Sequence, residues 1–434
     1  MNPLRVLMII PYLPNQTNVV TILAKKVLND LKKKCDAKII WILQTPSQTI
    51  DYQSDDIEVK PIQQYRDACD LMDKEKPDVI FVDLSFDYSS YPFIIAGRYK
   101  KIPVVSYIAY GYDYIYETLS RFEIIFSKVS RFLSKHSGRY GNNQMFGKGR
   151  FYLYKYFFFL RTVRSTKISF RSYLMVILDS LWVNSFGVMS RKLDKRLIVD
   201  NICLAAESWI EPLTKEGFPK NILHVTGSPI FDKYIIESFS HREFHKFPLK
   251  VLVVTSTMNT HGVWTDKKQR EIVEQIILEL KKHNNKLEFA IKIHPTSDDM
   301  EFYQNIIRDI DPTIKIFQKE NILDLLKEFD VAVSFGMISG STFDILYSGL
   351  SLVIVNLFGK SYLPHLAQMR LITECYDISK LTDSIIYATK TIPPEKELKQ
   401  FFFSASKPLD GKASERMAQV ILSTVKMTNT EKKE

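Results

Sequence analysis

The polar residues best able to hold a phosphorylated ligand lie between positions 251 and 360. Ser339, Gly340, Ser341 and Thr342 stand ahead of a helix expected to begin near Phe343. Ser and Thr are good N-caps, and the free N–H groups of a first helical turn attract anions. Gly340 carries no Cβ and lets backbone approach a phosphate closely. Asp344, read as part of the first turn, is placed to accept ribose hydroxyls. Alone, this motif is equally an ordinary capped helix after a buried strand. A second polar turn, His294-Pro295, ends the run FAIKIHP, and a third, Thr255-Ser256, ends VLVVTS. A histidine at a strand end is more often a hydrogen-bonded structural residue than a ligand. Together with a Ser-rich turn in one small domain, it points to a nucleotide monophosphate or diphosphate site.

The elements that must position these turns are legible around them. From Val251 to Lys360 the chain reads strand, loop, helix, strand, His-Pro loop, helix, strand, short helix, strand, Ser-rich turn, helix, strand. The strands are apolar, β-branched runs without strict alternation, the signature of parallel strands buried on both faces. Ligands of open α/β sheets bind beyond the carboxyl ends of the strands. All three turns therefore belong on one edge of one sheet. The N-terminal half repeats the pattern, with strands Val6–Ile10, Ala37–Leu43, Asp78–Leu84 and Ile102–Ile108 and a helix near Val19–Lys34. Alternation of this kind predicts a doubly wound parallel sheet. Its strand ends carry the candidates for a general base that would take a proton from an acceptor hydroxyl. Asp113 is the first choice, then Asp87 and Glu117, near Asp83, Ser85, Tyr110, Gly111 and Tyr112. For each of them an N-cap or a solvated loop carboxylate is the competing role.

Composition sets the frame. The 434 residues suffice for two domains of ordinary size. A hydrophobic share of 45% and a charged share of 25% are those of a globular protein. Cys35, Cys69, Cys203 and Cys375 are scattered and read as reduced thiols. With no His/Cys cluster at metal-ligand spacing, neither a metal nor a cofactor is expected. The apolar run Val6–Ile10 is too short for a signal-peptide core and stops at Pro11. A cytoplasmic location, peripheral on the inner face of the cell membrane, is expected.

The charge is local. Between Arg121 and Leu174 there are twelve Lys or Arg and one acid, Glu123, a net of +11, so the rest of the +10 chain sums to about −1. Aromatic residues are interleaved, most densely from Phe151 to Leu160, and Lys155 interrupts them. The run falls short of the ~20 apolar residues of a spanning helix. Cations that meet anionic headgroups, and rings that settle at headgroup depth, suit an element lying on a membrane surface. Packing of the aromatics onto the domain with the charges in water is the plain alternative. Single-stranded nucleic acid is also bound by such mixtures, but no nucleic-acid motif accompanies this one and no such partner is expected. Residues 172–183 read as a short buried helix or strand, and 429–434 as a frayed end.

Four stretches carry a resemblance: GFPKNILHVTGSPIFD (Gly217–Asp232), IKIHP (Ile291–Pro295), SGSTFDILYSGLSLVIV (Ser339–Val355) and DGKASERMAQVI (Asp410–Ile421). In order and spacing they resemble the GT-B glycosyltransferase superfamily, in its branch of UDP-N-acetylglucosamine 2-epimerases, polysialyltransferases and CDP-glycerol glycerophosphotransferases. The resemblance covers about residues 201–421. It implies an α/β GT-B fold, two Rossmann-like doubly wound domains facing across a cleft. The boundaries read from it are 1–240 with the insertion 121–174, then 249–405, then a helix at 406–428 returning to the first domain. It also implies that His294, Ser339, Ser341 and Thr342 hold the phosphates of a nucleotide-sugar donor, with His294 stabilising charge on the leaving phosphate. The epimerases' His-Arg-Pro-Glu-Asn loop is replaced here by TSTMNTHGVW, with His261 nearby. The acidic-acidic-glycine motif of the polysialyltransferases is missing. The sequence therefore predicts an inverting, metal-independent glycosyltransferase acting on a lipid-linked or surface-glycan acceptor. A 2-epimerase, a glycerol-phosphate transferase and a non-catalytic glycan- or lipid-binding scaffold are the alternatives.

Overall fold

The computed structural model describes residues 3–15, 19–44, 52–84, 90–111, 148–167, 171, 174–175, 178, 199–234, 247–256, 258, 264–295, 298–335, 340–357, 364–391 and 393–431. They form two compact units. One comprises the described residues through Tyr234 and those from Phe403 on, and the other those from Phe247 through Phe402.

The first unit is built on a sheet of seven parallel strands: β1 (Leu4–Ile10), β2 (Ala37–Leu43), β3 (Ile57–Pro61), β4 (Val79–Asp83), β5 (Val104–Ile108), β6 (Asn201–Leu204) and β7 (Leu223–Val225). Their spatial order is β3-β2-β1-β4-β5-β6-β7. β5 is buried at every position, as a strand covered by helices on both faces must be. β3, sequence IEVKP, alternates charged and apolar residues and lies at the sheet edge, which is why it does not stand out as a buried run.

Three helices give one face its character. Asp67 caps the helix Ala68–Glu75 by accepting the Asp70 N–H at 3.0 Å. The same buried carboxylate accepts Ser165 Oγ at 2.8 Å from the helix Lys148–Ser165. Thr162 Oγ1 of that helix accepts the Ala68 N–H at 3.0 Å. Phe158 and Phe159 enter the core beside Phe93 and Tyr91 of the helix Tyr91–Lys100, with ring centroids 5.9 and 6.3 Å apart. Part of the aromatic run is thus core, with Arg161, Arg164 and Lys167 exposed on the other side.

The opposite face takes the helix Val19–Lys32 and the C-terminal helix Ala413–Glu431. Met417, Ala418 and Ile421 join Leu23, Val27 and Leu31 in one buried cluster. Asp232 accepts the Ala413 N–H at 3.0 Å and the Ser414 hydroxyl at 3.1 Å, satisfying donors of the first turn. Helical backbone continues to Glu431, into the stretch 429–434 read from the sequence as frayed. Leu174, Met175 and Leu178 are helical and exposed, which corrects the buried element expected over 172–183.

The second unit is a six-stranded parallel sheet ordered β10-β9-β8-β11-β12-β13. Its strands are β8 (Leu249–Val254), β9 (Leu287–Lys292), β10 (Ile316–Phe317), β11 (Val331–Phe335), β12 (Ser351–Val355) and β13 (Thr373–Cys375). Written from its own first strand this is 3-2-1-4-5-6, the doubly wound dinucleotide-binding order, with the direction of winding reversing between β8 and β11. β8 starts at Leu249, two residues before the start read from the sequence. Thr265 caps the helix Asp266–Lys281 by accepting the Lys268 N–H at 3.1 Å. Asp299 caps Met300–Ile310 through the Glu301 N–H at 3.0 Å. Both helices bury one stripe, Ile272, Ile276 and Leu280 on the first and Tyr303, Ile306 and Ile307 on the second.

Candidate functional site

The winding reversal of the second unit puts the ends of β8 and β11 side by side. Val254 is level with Lys292 of β9 and with Ser334 of β11. Thr255-Ser256, His294 and the segment entering the helix Gly340–Tyr347 therefore leave the sheet at one edge, as the sequence predicts.

A buried carboxylate absent from the sequence candidates fastens two of these turns together. Asp298 Oδ2 accepts the Thr255 hydroxyl at 2.5 Å and the His294 backbone N–H at 2.8 Å. Tyr303, from the helix that follows, donates a further hydrogen bond to it. Burial pushes the Asp298 carboxyl above its usual range, and those three hydrogen bonds pull the other way. The Tyr303 hydroxyl is itself driven upward, first by burial and then by the Asp298 charge. Gln269 Nε2 ties Tyr303 Oη (3.1 Å) to the Ser256 carbonyl (3.0 Å). Lys292 Nζ donates to the carbonyls of Gln318 (2.6 Å) and Ile293 (3.1 Å), and Gln318 Nε2 returns a bond to the Asp298 carbonyl (3.0 Å). Loss of hydration lowers the Lys292 pKa. The backbone at His294 is thus held from both sides, with its side chain half-buried and Pro295 exposed.

Two buried polar atoms of this network, the Ser256 hydroxyl and Gln269 Oε1, have no hydrogen-bond partner among the described residues. Ser256 is only 7% exposed. A buried hydroxyl left unsatisfied costs on the order of 1–3 kcal/mol. A ligand oxygen arriving at this edge would remove that cost.

The helix Gly340–Tyr347 starts three residues earlier than the sequence suggests. Gly340 and Ser341 open its first turn, and Thr342 is buried within it. Asp344 falls in the second turn and is buried, which corrects its placement in the first. Phe343 stacks on Phe401 with centroids 4.8 Å apart and meets Phe402 edge-on at 5.5 Å, which anchors this helix to the helix Glu395–Ala405. A Cβ built on Gly340 meets nothing within 4 Å among the described residues.

In the first unit the edge beyond β5 is taken up by the chain itself. The Gly111 N–H donates to the Ala405 carbonyl at 2.7 Å, and a Cβ at Gly111 would lie 1.6 Å from the Ser404 carbonyl oxygen. Trp209 Nε1 donates to the Tyr110 carbonyl at 2.6 Å. Burial raises the Tyr110 hydroxyl to about 12. Gly111, with no Cβ, thus admits the returning backbone at close range. Asp83 ends β4. Ser85, Asp87, Tyr112, Asp113, Glu117, His261 and Ser339 lie outside the described residues.

Among the described residues no group of three or more His, Cys, Asp or Glu side chains is placed to hold a metal. The chain contains one Asp-x-Asp, Asp309 to Asp311, which ends the helix after β9, toward the amino edge of the sheet. Asp309 pairs with Arg270 at 2.6 Å and Asp311 with Lys281 at 3.0 Å. Hydrogen bonds from Thr313, and then from the Lys281 ammonium, hold the Asp311 carboxyl at about 2.

No family model matches this chain, and no curated protein matches it. Solved structures do, over nearly its full length. The S. aureus protein MnaA, solved with UDP, is 12% identical, with a TM-score of 0.50 over 95% of this chain and 94% of that one. The glycotransferase of kitacinnamycin is 11% identical, with a TM-score of 0.51 over 98% and 100%. The UDP-GlcNAc 2-epimerase of Methanocaldococcus jannaschii is 12% identical, with a TM-score of 0.50 over 96% and 99%. At these identities the likeness establishes the fold. The chain is an α/β protein of the GT-B type with two Rossmann-like domains.

Proposed function

We propose that this chain is a nucleotide-sugar-dependent glycosyltransferase whose donor binds at the carboxyl edge of the second unit. One observation carries the reading. At the winding reversal of a 3-2-1-4-5-6 sheet, the Ser256 hydroxyl, unpartnered among the described residues, the Asp298-held His294 loop and the helix start at Gly340 share a single edge. Neighbours solved with UDP, or named for UDP-GlcNAc, favour a nucleotide sugar as the ligand.

In this reading the phosphates rest on Ser256, His294 and the first turn of the helix Gly340–Tyr347, with Thr255, Pro295, Ser339 and Thr342 shaping the pocket. Donors aimed at developing charge act most strongly where water is excluded. His294 stabilises the charge that grows on the leaving phosphate. Asp344 contributes from its buried position in the second turn. The acceptor, a lipid-linked or surface glycan, is held by the first unit. Asp113 is assigned as the base that takes its proton, with Asp87 next. In-line attack then inverts the anomeric centre, and no divalent cation takes part.

Transfer is preferred to epimerisation because the loop after β8 reads TSTMNTHGVW in place of the epimerases' His-Arg-Pro-Glu-Asn type sequence. Incubation with candidate UDP-, CDP- and GDP-sugars, with and without a glycan acceptor and with EDTA, tests the assignment. Acceptor-dependent release of nucleotide that survives EDTA is expected. An epimerised sugar without nucleotide release would replace the reading with the epimerase one.

A further inference from the structure

We propose that the outer face of the segment Phe157–Leu178 is a docking surface for anionic lipid bilayers, separate from the nucleotide edge. The helix Lys148–Ser165 has two opposed sides. Phe158, Phe159, Thr162 and Val163 are buried in the first unit. Phe157, 54% exposed, shares the outer side with Arg161 and Arg164, at the spacing of four and three residues that stacks side chains along one helix face. Lys167, at φ 51°, ends this stretch and is exposed too.

Helical backbone resumes at Arg171, Leu174, Met175 and Leu178, whose spacing of three, one and three residues again selects a single face. That face is solvent-exposed. Leu174, Met175 and Leu178 are 46%, 39% and 47% accessible, and Arg171 is exposed beside them. Exposed Leu and Met next to unburied arginines is a poor arrangement in water and a good one at a bilayer surface. There the cations meet anionic headgroups while the apolar tips enter the acyl boundary.

The charge argues for this occupant. From Phe157 to Leu178 the chain carries four cations, Arg161, Arg164, Lys167 and Arg171, all exposed, and no acid. The competing polyanion, single-stranded nucleic acid, is bound chiefly by stacking bases on exposed rings. Here Phe158 and Phe159 are committed to the core. No described helix is long and apolar enough to cross a membrane, so the contact is a surface one.

Vesicle flotation of the full chain, without nucleotide, tests the surface. Phosphatidylcholine vesicles with and without about one third phosphatidylglycerol are compared at low and high salt. The protein is expected to float with the phosphatidylglycerol vesicles only and to be released by salt. R161E/R164E and L174S/M175S/L178S are each expected to weaken binding about tenfold or more. All five side chains are exposed, and both variants should keep the wild-type urea midpoint. Equal binding to neutral vesicles, or full binding by either variant, would overturn the proposal. So would a single-stranded oligonucleotide bound as tightly as the anionic vesicles and retained by the serine variant. Nucleotide-induced stabilisation, measured on the same variants, should be unchanged, so this proposal and the transferase reading can fail independently.

Discussion

The Asp298 carboxylate accepts the backbone N–H of His294 at 2.8 Å, and with the same oxygen it accepts the Thr255 hydroxyl. One buried side chain therefore sets the position of two turns from neighbouring strands. It acts on the His294 main chain and leaves the imidazole for other partners. Asp298→Asn replaces an ionisable acceptor by an amide with one acceptor oxygen. It should cost about 1–3 kcal/mol of stability and also reduce nucleotide binding. Urea unfolding with and without saturating UDP separates the two effects. A variant that loses stability but keeps the full UDP-induced gain would show that Asp298 serves the fold alone.

Gly340 offers a cleaner separation. It opens a helix, and a Cβ there meets nothing within 4 Å among the described residues. Gly340→Ala should leave the protein as stable or gain up to about 1 kcal/mol, because alanine suits a helix better. Nucleotide affinity should fall if a phosphate occupies that space. Calorimetric titration alongside thermal unfolding reads both quantities.

The two faces of the helix Lys148–Ser165 predict opposite outcomes for adjacent phenylalanines. Phe158→Ala empties a fully buried site and should cost about 3–5 kcal/mol. Phe157→Ala removes an exposed ring and should stay within about 0.5 kcal/mol. Urea midpoints of the two single variants check this.

Acid stability of the first unit depends in part on Asp410. Two hydrogen bonds from the Arg416 guanidinium, both 2.8 Å, hold its carboxyl at about 2. A folded pKa below the ordinary 3.8 means that the unfolded chain binds the proton more readily. The contribution is complete above pH 3.8 and disappears as pH falls toward 2. The pair is partly solvated, so the effect is modest. Asp410→Asn should flatten this part of the urea midpoint–pH curve and leave the rest unchanged.

Much of this architecture is legible in the sequence because buried parallel strands write themselves as apolar runs. The order of elements from β8 to β12 follows from VLVV, FAIKI, VAVSF and SLVIV and the turns after them. The edge that gathers Thr255, His294 and Gly340 follows from the parallel rule alone. What escapes is set by contacts distant in sequence. The helix from Gly340 is anchored by Phe343 stacking on Phe401, 58 positions away. The role of Asp298 depends on Thr255 across the strand pair, although a carboxylate four residues after the histidine of IKIHP was a visible clue. The aromatic run Phe151–Leu160 looks uniform as text, and only the packing of the helices Ala68–Glu75 and Tyr91–Lys100 decides that Phe158 goes inward and Phe157 outward. Gly111 gives no sign that residues Ser404 and Ala405 will cross it.

The central claim is a nucleotide-phosphate site at the His294 edge. A thermal-shift panel of CMP, CDP, UDP, GDP and their sugars, on wild type and His294→Ala, tests it most directly. A ligand that binds only the folded state raises apparent stability by mass action, by about 2.7 kcal/mol at a hundredfold excess over Kd. Stabilisation by one nucleotide class, lost in the variant, is the predicted result and names the donor. No shift of the wild type with any of these ligands, or the same shift in both proteins, would contradict it and leave the non-catalytic scaffold as the better account.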